Sequence, residues 1–238
     1  MFIPRIYQAM TFHVGEEIEL DTEASQHLLK VLRLRVGDAL IVFNGRGGEY
    51  SAELVKESKR VAYVKIGEFQ AINRESPIAF HLGQGLSRND RMDYAIQKST
   101  ELGVAEITPL LTEYCQVKLE GERMEKRVEH WQKIAISACE QSGRTKIPTV
   151  HAVQTLEDWV HARSGLSVIC DLEDDDCIEH TLGKTSINIL VGPVSGFSAA
   201  ERQYAKAQGF HSLSLGPRIL RTETAPVVAL TRLQLMFS

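Results

Sequence analysis

The stretch LGPRILRTETAP, residues 215–226, concentrates side chains that can do chemistry. It carries two arginines, Arg218 and Arg221, together with Glu223 and two threonines. A connecting loop needs only a turn signal and a helix cap, so this polar content exceeds what the backbone requires. Guanidinium groups neutralise phosphate or stabilise an anion that forms during a reaction. We therefore interpret the segment as a candidate catalytic loop, with capping of the next helix as the alternative role for Glu223.

A second turn of similar design follows another apolar strand, in the stretch VGPVSGF at residues 191–197. Both turns contain a Gly-Pro pair, Gly192-Pro193 and Gly216-Pro217. In a parallel sheet, the loops at the carboxyl ends of strands line the ligand crevice. Because glycine lets backbone groups approach a ligand closely, the two turns predict a site walled largely by main chain.

A dinucleotide-binding loop is an alternative ligand site. Gly83 and Gly85 lie between a predicted strand and a predicted helix, as in a nicotinamide-binding motif, but Arg88 occupies the place of the third glycine. The helix that follows, residues 88–102, carries Arg88, Arg91 and Lys98 beside acidic residues. Such a helix is also typical of a solvated, ion-paired surface.

The elements that must position these residues change character along the chain. Residues 1–71 are predicted to form short strands with tight turns, which indicates a small β-barrel domain. One helix is predicted there, over residues 23–32, with three apolar residues on one face: Leu28, Val31 and Leu32. Residues 72–238 alternate strands with helices, which predicts an α/β domain with a mainly parallel sheet.

Helix starts in the second domain are indicated by capping residues. Ser87, with Asp90 three residues on, is predicted to cap one helix, and Thr224 the last. Ser198 and Glu201 form a full capping box for the helix between them.

The amino-acid composition is that of a soluble globular protein. The chain has 238 residues, 43% of them hydrophobic, and a net charge of −4, as in a soluble globular protein. No apolar run is long enough for a membrane span and no signal peptide is evident, so we expect a cytoplasmic protein. The pattern predicts no metal site and four reduced thiols: Cys115, Cys139, Cys170 and Cys177.

Charge is segregated along the chain. Residues 30–65 hold an excess of basic side chains, whereas DLEDDD at residues 171–176 is acidic. A local basic surface on an acidic protein favours one specific nucleic-acid site over non-specific coating.

Several stretches resemble the RsmE family of ribosomal small-subunit RNA uridine N3-methyltransferases, in the SPOUT superfamily. In the second domain they are DRMDYAIQKSTELGVAEITPLLTEYC, WQKIAISACEQSGR, LVGP with GFSAAE, and LGPRILRTETAP. In the first domain, HLLKVLRLRVGD and NGRGGEY resemble the family's N-terminal barrel. The likeness covers nearly the whole chain in the family's order.

This resemblance implies a fold and a reaction. The fold is a SPOUT-type parallel sheet with helices and a deep trefoil knot, preceded by a PUA-like RNA-binding barrel. The cofactor is S-adenosyl-L-methionine and the reaction is methylation of uridine N3 in 16S ribosomal RNA. The implied partners are 16S rRNA or the small ribosomal subunit and a second copy of the chain in a homodimer, with no membrane and no metal.

The resemblance and the polar pattern together assign residues to roles. Arg221, Arg218 and Glu223 are the candidate catalytic residues. The cofactor is expected on Leu190, Val191, Gly192, Pro193, Gly196, Leu215, Gly216, Ile219, Leu220, Thr224 and Ala225. RNA phosphates are expected on Arg5, Lys30, Arg33, Arg35, Arg46, Lys59, Arg60, Arg88 and Arg91.

One departure from the family pattern bears on activity. The family reads Gly-Pro-Glu-Gly-Gly where this chain has Gly192-Pro193-Val194-Ser195-Gly196. A serine is strained if its position needs a positive φ, and a missing carboxylate removes an acceptor at the rim. A second hypothesis is therefore a non-catalytic RNA-binding or ribosome-assembly protein on the same fold.

Overall fold

The computed structural model describes residues 3–115, 121–171 and 186–237. The chain forms two compact units. The first comprises Met1–Glu75 with Cys139–Ile147, and the second comprises Ser76–Ala138 with Pro148–Ser238.

The first unit is built on a five-stranded sheet with strand order β1-β3-β4-β5-β2. Its elements are β1 (Arg5–Tyr7), β2 (Glu17–Glu19), α1 (Thr22–Gln26), β3 (Ala39–Phe43), β4 (Glu49–Ser58) and β5 (Val61–Gln70). Strands β1 and β3 are parallel, and the other pairs are antiparallel. Alternate side chains of β4 and β5, such as Leu54 and Val64, are buried in one apolar core, as a sheet with one covered face requires.

The helix predicted over residues 23–32 is present, but it is not a regular α-helix over that whole length. Helix α1 ends at Gln26, and a π-helical turn continues from His27 to Val31. This wider turn shifts the register of the side chains that follow it. Leu28 is consequently fully buried, whereas Val31, which we expected on the same face, is 67% exposed.

Residues 139–147 join the first unit through a buried ion pair. Arg144 donates to the Glu75 carboxylate at 2.6 Å, and the other oxygen of that carboxylate accepts the backbone N–H groups of Thr145 and Lys146. Both side chains of the pair are nearly buried. We predicted two domains, 1–71 and 72–238, each continuous in sequence. The contact between Glu75 and Arg144 joins residues far apart in the chain and leaves no local sequence pattern, so the prediction did not place residues 139–147 with the first unit.

The second unit is an α/β fold, as predicted. Its parallel strands run in the order β12-β10-β11-β6-β7-β8, and β9 also pairs with β7. The strands are β6 (Ala79–Gly85), β7 (Glu106–Leu111), β8 (Thr149–Val150), β9 (Gln154–Thr155), β10 (Leu166–Asp171), β11 (Ser186–Val191) and β12 (His211–Ser214). The helices are α2 (Asn89–Glu101), α3 (Glu122–Ser142), α4 (Leu156–His161), α5 (Ala199–Ala207) and α6 (Ala225–Phe237). The last residues of α3, from Cys139, belong to the first unit.

The central strands are buried on both faces, which explains their unbroken apolar sequences. Strand β11 is buried from Ile187 to Val191, between β10 on one side and β6 on the other. Helices α2 and α6 pack against each other, and α6 also packs on β11.

The helix caps divide into one confirmed prediction and one error. Ser198 accepts the Glu201 N–H at 3.2 Å, and the Glu201 carboxylate accepts the Ser198 N–H at 2.8 Å, which confirms the capping box. Ser87 does not cap α2, whose N-cap is Arg88 without a side-chain bond. The Ser87 hydroxyl instead donates to the Gly85 carbonyl at 3.4 Å. Helix α4, which we did not predict, begins at a Thr155 cap.

The three cysteines in the described residues are free thiols, and Cys177 lies outside those residues. Burial raises the pKa of Cys139 to about 12, so its thiol is inert at neutral pH.

Among the described residues, no helix is long and apolar enough to cross a bilayer. The same residues contain no cluster of side chains suited to a metal ion.

Candidate functional site

The candidate site lies where three neighbouring strands of the second unit end. Strand β11 leads into the first loop, residues 192–197, and β12 leads into the second loop, residues 215–224. Strand β10 lies between β11 and β12 and ends at Asp171. Their parallel alignment brings all three carboxyl ends to one edge, where α/β proteins bind ligands.

A cavity of about 400 Å³ opens between the two loops. Eight of the residues expected to hold the cofactor line it: Val191, Gly192, Pro193, Gly196, Leu215, Ile219, Leu220 and Ala225. The other three expected residues, Leu190, Gly216 and Thr224, are not in the lining. Leu190 is fully buried in the core because alternate residues of β11 face opposite sides of the sheet.

One buried hydroxyl joins the two loops. Thr222, in the second loop, donates through Oγ1 to the carbonyl oxygen of Gly192 in the first loop, at 2.6 Å. The same Oγ1 accepts a hydrogen bond from Nε2 of Gln84, at the end of β6, at 3.0 Å. Thr222 and Gln84 are 7% and 1% exposed, so solvent competes little for these bonds.

Sequence analysis assigned no role to Thr222 or Gln84. Thr222 lies inside the stretch LGPRILRTETAP, in which, of the polar side chains, only the charged residues and Thr224 were given roles. Gln84 is a buried polar residue between two glycines at the end of a strand, and buried polar side chains usually have a defined partner. The sequence itself shows a glutamine between two glycines at the end of an apolar strand, and that position was the available signal.

The two glycines of the dinucleotide alternative are explained by packing. A Cβ at Gly85 would lie 2.4 Å from the backbone nitrogen of Pro193, and a Cβ at Gly83 would lie 2.8 Å from the Trp159 ring. The first loop therefore passes directly over the end of β6. Close packing therefore accounts for both glycines without a nicotinamide cofactor.

Two of the arginines at the site lie beside Glu223. Its two carboxylate oxygens lie 3.9 Å from a terminal nitrogen of Arg221 and 4.0 Å from Nε of Arg91. The Glu223 side chain is 13% exposed, whereas that of Arg221 is 77% exposed. Arg218, Arg221 and Arg91 line the cavity and Glu223 does not, so the carboxylate positions arginines from behind the wall.

The cavity wall contains one thiol, Cys170 at the end of β10. Burial raises its pKa to about 12, so the group stays protonated at neutral pH. A protonated thiol is a poor nucleophile, so Cys170 is assigned to the cavity wall and not to covalent catalysis.

The departure at Val194-Ser195 causes no backbone strain. In the described residues, only Arg33, Lys59 and Arg60 combine a side chain with a positive φ, so Ser195 has an ordinary conformation. The left-handed position of this loop is Gly196, with φ 72°, and a glycine is present there. The expectation of strain is therefore wrong.

Six of the basic residues expected to bind RNA are exposed on the first unit: Lys30, Arg33, Arg35, Arg46, Lys59 and Arg60. No carboxylate in the described part of the chain pairs with them within 4.0 Å. Lys59 and Arg60 form the tip of the β4–β5 hairpin, with φ of 50° and 71°. In the second unit, Arg88 is exposed and Arg91 is partly buried.

Arg5, also expected to bind RNA, has a structural role instead. Its guanidinium donates to the Glu49 carboxylate at 2.7 Å and to the backbone carbonyls of Cys139 and Arg144 at 3.0 and 3.1 Å. Its side chain is 10% exposed. Because its donors are used inside the first unit, Arg5 is removed from the candidate RNA contacts.

Comparisons with known proteins agree with this architecture. A family model described as RNA methyltransferase domain matches residues 74–234, and one described as RNA methyltransferase PUA domain matches residues 20–67. The predicted PUA-like domain is thereby confirmed. Ribosomal RNA small subunit methyltransferase E from Buchnera aphidicola subsp. Acyrthosiphon pisum is 37% identical, over 99% of this chain and 94% of the relative.

Two solved structures are similar over 99% of this chain and 98% of their own. A putative methyltransferase from Legionella pneumophila, in complex with bound cofactor SAM, has a TM-score of 0.95 and 40% identity. Ribosomal RNA small subunit methyltransferase E from Neisseria gonorrhoeae, bound to S-adenosyl methionine, has a TM-score of 0.91 and 35% identity. The resemblance seen in the motifs is confirmed, and the chain belongs to the RNA methyltransferase family that includes the ribosomal RNA small subunit methyltransferases E.

Proposed function

We propose that this protein transfers a methyl group from S-adenosyl-L-methionine to N3 of a uridine in 16S ribosomal RNA. The observation that carries the proposal is the cavity between two loops pinned by Thr222, with Arg218 and Arg221 at its rim. Membership of the methyltransferase family and the cofactor bound to similar proteins support the same chemistry.

The residues of the cavity fit the proposed cofactor. Its volume of about 400 Å³ falls in the range of small-molecule sites. Leu215, Ile219 and Phe197 offer apolar surface for a flat base, and the main chain of both loops offers hydrogen-bonding groups. The close approach of Gly85 to Pro193 keeps the first loop in place against the sheet.

The bound cofactor supplies a methyl group on a positively charged sulfur, which is already a strong electrophile. The protein must hold N3 of the uracil at near-attack distance and favour loss of its proton. We assign stabilisation of the uracil anion to Arg221 and Arg218, whose positive charges lie at the cavity. Glu223 orients Arg221 and Arg91, and it is the candidate base for the N3 proton, which it would take through one water because it lies behind the cavity wall.

We propose that the exposed cations of the first unit hold the phosphates of the RNA. Two of them, Lys59 and Arg60, form the two-residue tip of the β4–β5 hairpin, with the positive φ values that a tight hairpin turn requires, and this turn presents both charges to solvent. The match to a PUA domain supports the same assignment.

We propose further that the chain is a cytoplasmic homodimer with a trefoil knot. From the edge strand β12, the chain crosses to the central strands, where Thr222 bonds to Gly192 and Gln84, and then enters α6. Such a crossing supports the knot. Two strongly exposed apolar side chains, Ile219 at 84% and Leu235 at 79%, support contact with a second copy.

The test uses small ribosomal subunits purified from a strain that lacks the protein. After incubation with S-adenosylmethionine and the purified protein, mass spectrometry of the rRNA nucleosides is expected to show N3-methyluridine, and primer extension is expected to locate it. Methylation of another atom or another nucleotide type would contradict the proposed specificity.

The hypothesis of a non-catalytic binder loses one of its two supports, because Ser195 leaves the loop unstrained, whereas the carboxylate missing at Val194 still favours it. Calorimetry separates the two functions. We expect the protein to bind S-adenosylmethionine, and no heat at millimolar concentrations of this ligand would favour the binder.

A further inference from the structure

We infer that a second cavity, beside the cofactor cavity, holds the target uracil, with Tyr114 as its stacking platform. The inference rests on the proposed methylation of uridine. The cavity has a volume of about 290 Å³ and lies between the start of α2, the segment after β7 and the first loop. All of these segments belong to the second unit.

The two cavities adjoin, as donor and acceptor sites must. Arg91, Pro193 and Val194 line both of them. A base in the second cavity therefore lies next to a methyl donor in the first, with the turn at Pro193-Val194 and the Arg91 side chain shared between them. Methyl transfer requires this proximity, because the reacting atoms must come within near-attack distance.

Tyr114 has the properties of a platform for an unstacked base. It lines the second cavity, and it is 47% exposed. Its ring makes no aromatic or cation–π contact with another residue in the described ranges. Proteins that take single bases from RNA usually stack them on aromatic side chains of this kind.

The polar groups of the cavity favour uracil over cytosine. Its lining offers the guanidinium groups of Arg88 and Arg91 and the hydroxyl of Ser195, all of which can donate. Among the described lining residues there is no carboxylate. Uracil presents carbonyl oxygens on both sides of N3, whereas cytosine presents an amino donor on one side, which would meet donors here.

Arg91 is the group that connects this cavity to the catalytic residues. Its Nε lies 4.0 Å from the Glu223 carboxylate, which also lies beside Arg221. Loss of the N3 proton places negative charge on the two carbonyl oxygens of uracil. The donors of the cavity then stabilise the form of the base that attacks the methyl group.

Substitution of Tyr114 tests the platform. With small subunits from a strain that lacks the protein, Tyr114→Ala is expected to lower kcat/KM for the subunit by about tenfold to a hundredfold. Tyr114→Phe is expected to stay within about threefold of wild type, because the ring remains. The affinity for S-adenosylmethionine should change by less than about twofold in both variants.

Tyr94 provides the matched control. It lies on α2, is 46% exposed and lines neither cavity. Tyr94→Ala should leave kcat/KM within about twofold of wild type. Wild-type kcat/KM in Tyr114→Ala would overturn the inference, as would an equal loss in the alanine and phenylalanine variants.

A binding measurement separates this inference from the proposed function. Small-subunit rRNA transcribed with 4-thiouridine in place of part of its uridine is cross-linked to the protein, and the peptides are identified by mass spectrometry. We expect cross-links at Tyr114 or at Val194-Ser195. Methylation of N3 without these cross-links would show that the second cavity is not the uracil site. These cross-links without methylation would support that site and contradict the proposed reaction.

Discussion

The buried arginines of the first unit and Arg221 of the second unit are used in opposite ways. In the first unit, Arg5 pairs with Glu49 and Arg144 with Glu75, and each of the four side chains is at most 11% exposed. In the second unit, Arg221 lies at a cavity with its side chain 77% exposed. The same guanidinium chemistry therefore holds the fold together at Arg5 and Arg144 and faces a ligand site at Arg221.

Burial and the number of engaged donors separate these two uses. Arg5 directs its two terminal nitrogens to a carboxylate and to backbone carbonyls, and its Nε is buried, so its guanidinium is not accessible to a phosphate. Arg221 has one distant carboxylate contact, at 3.9 Å, and its charge remains available. An arginine in a basic stretch is thus a candidate ligand contact only when its guanidinium is exposed and is not already hydrogen-bonded within the fold.

Removal of a buried arginine is expected to have the largest effect. Arg5→Ala leaves Glu49 buried without its closest partner, although Arg74 lies 3.6 Å away. The free energy of unfolding should fall by about 3–5 kcal/mol, as measured by urea unfolding of the full chain. Arg35→Ala, at an exposed position, is the control and should change it by less than about 0.5 kcal/mol. Equal stabilities would contradict the structural role of Arg5.

Removal of the exposed arginine is expected to affect catalysis and spare the fold. Arg221→Ala should lower kcat for rRNA methylation by about a hundredfold to a thousandfold, because a stabilising charge at the reacting base is lost. Its unfolding midpoint should match that of wild type. Arg123→Ala, on the exposed face of α3, serves as the control for loss of one arginine. Full activity in Arg221→Ala would remove this residue from the mechanism.

The hydrogen bond from Thr222 to Gly192 connects the two loops and so positions the exposed arginines of the second loop. Thr222→Val keeps the shape of the side chain and removes the hydroxyl that reaches Gly192 and Gln84. We expect the Kd for S-adenosylmethionine, measured by calorimetry, to rise about five- to tenfold. Thr222→Ser should restore the affinity, and a serine variant as weak as the valine variant would show that the methyl group, not the hydroxyl, matters.

The smallest expected effect concerns the exposed cations of the first unit. Lys30→Ala combined with Arg33→Ala should weaken RNA binding several-fold and reduce the slope of log K against log salt by about 1–2. The double variant Arg123→Ala with Lys126→Ala, on α3, removes the same charge elsewhere. If both double variants lose the same affinity and salt slope, net charge and not this surface determines RNA binding.

Local features of this protein could be predicted from its sequence. The apolar strands, the capping box of Ser198 and Glu201 and the Gly-Pro turns depend on residues close together in the chain, so their patterns are visible there. Strand alternation with helices likewise indicated the parallel sheet and hence a site at the carboxyl ends of its strands.

Contacts between distant residues were decided by the tertiary structure alone. Thr222 and Gln84 are 138 positions apart, and Arg5 and Glu49 are 44 positions apart. No spacing rule links such residues, since their meeting depends on how strands and loops pack. The sequence by itself therefore determined which groups were present and which segments carried them, whereas packing decided which arginines were buried as pairs and which remained free to act.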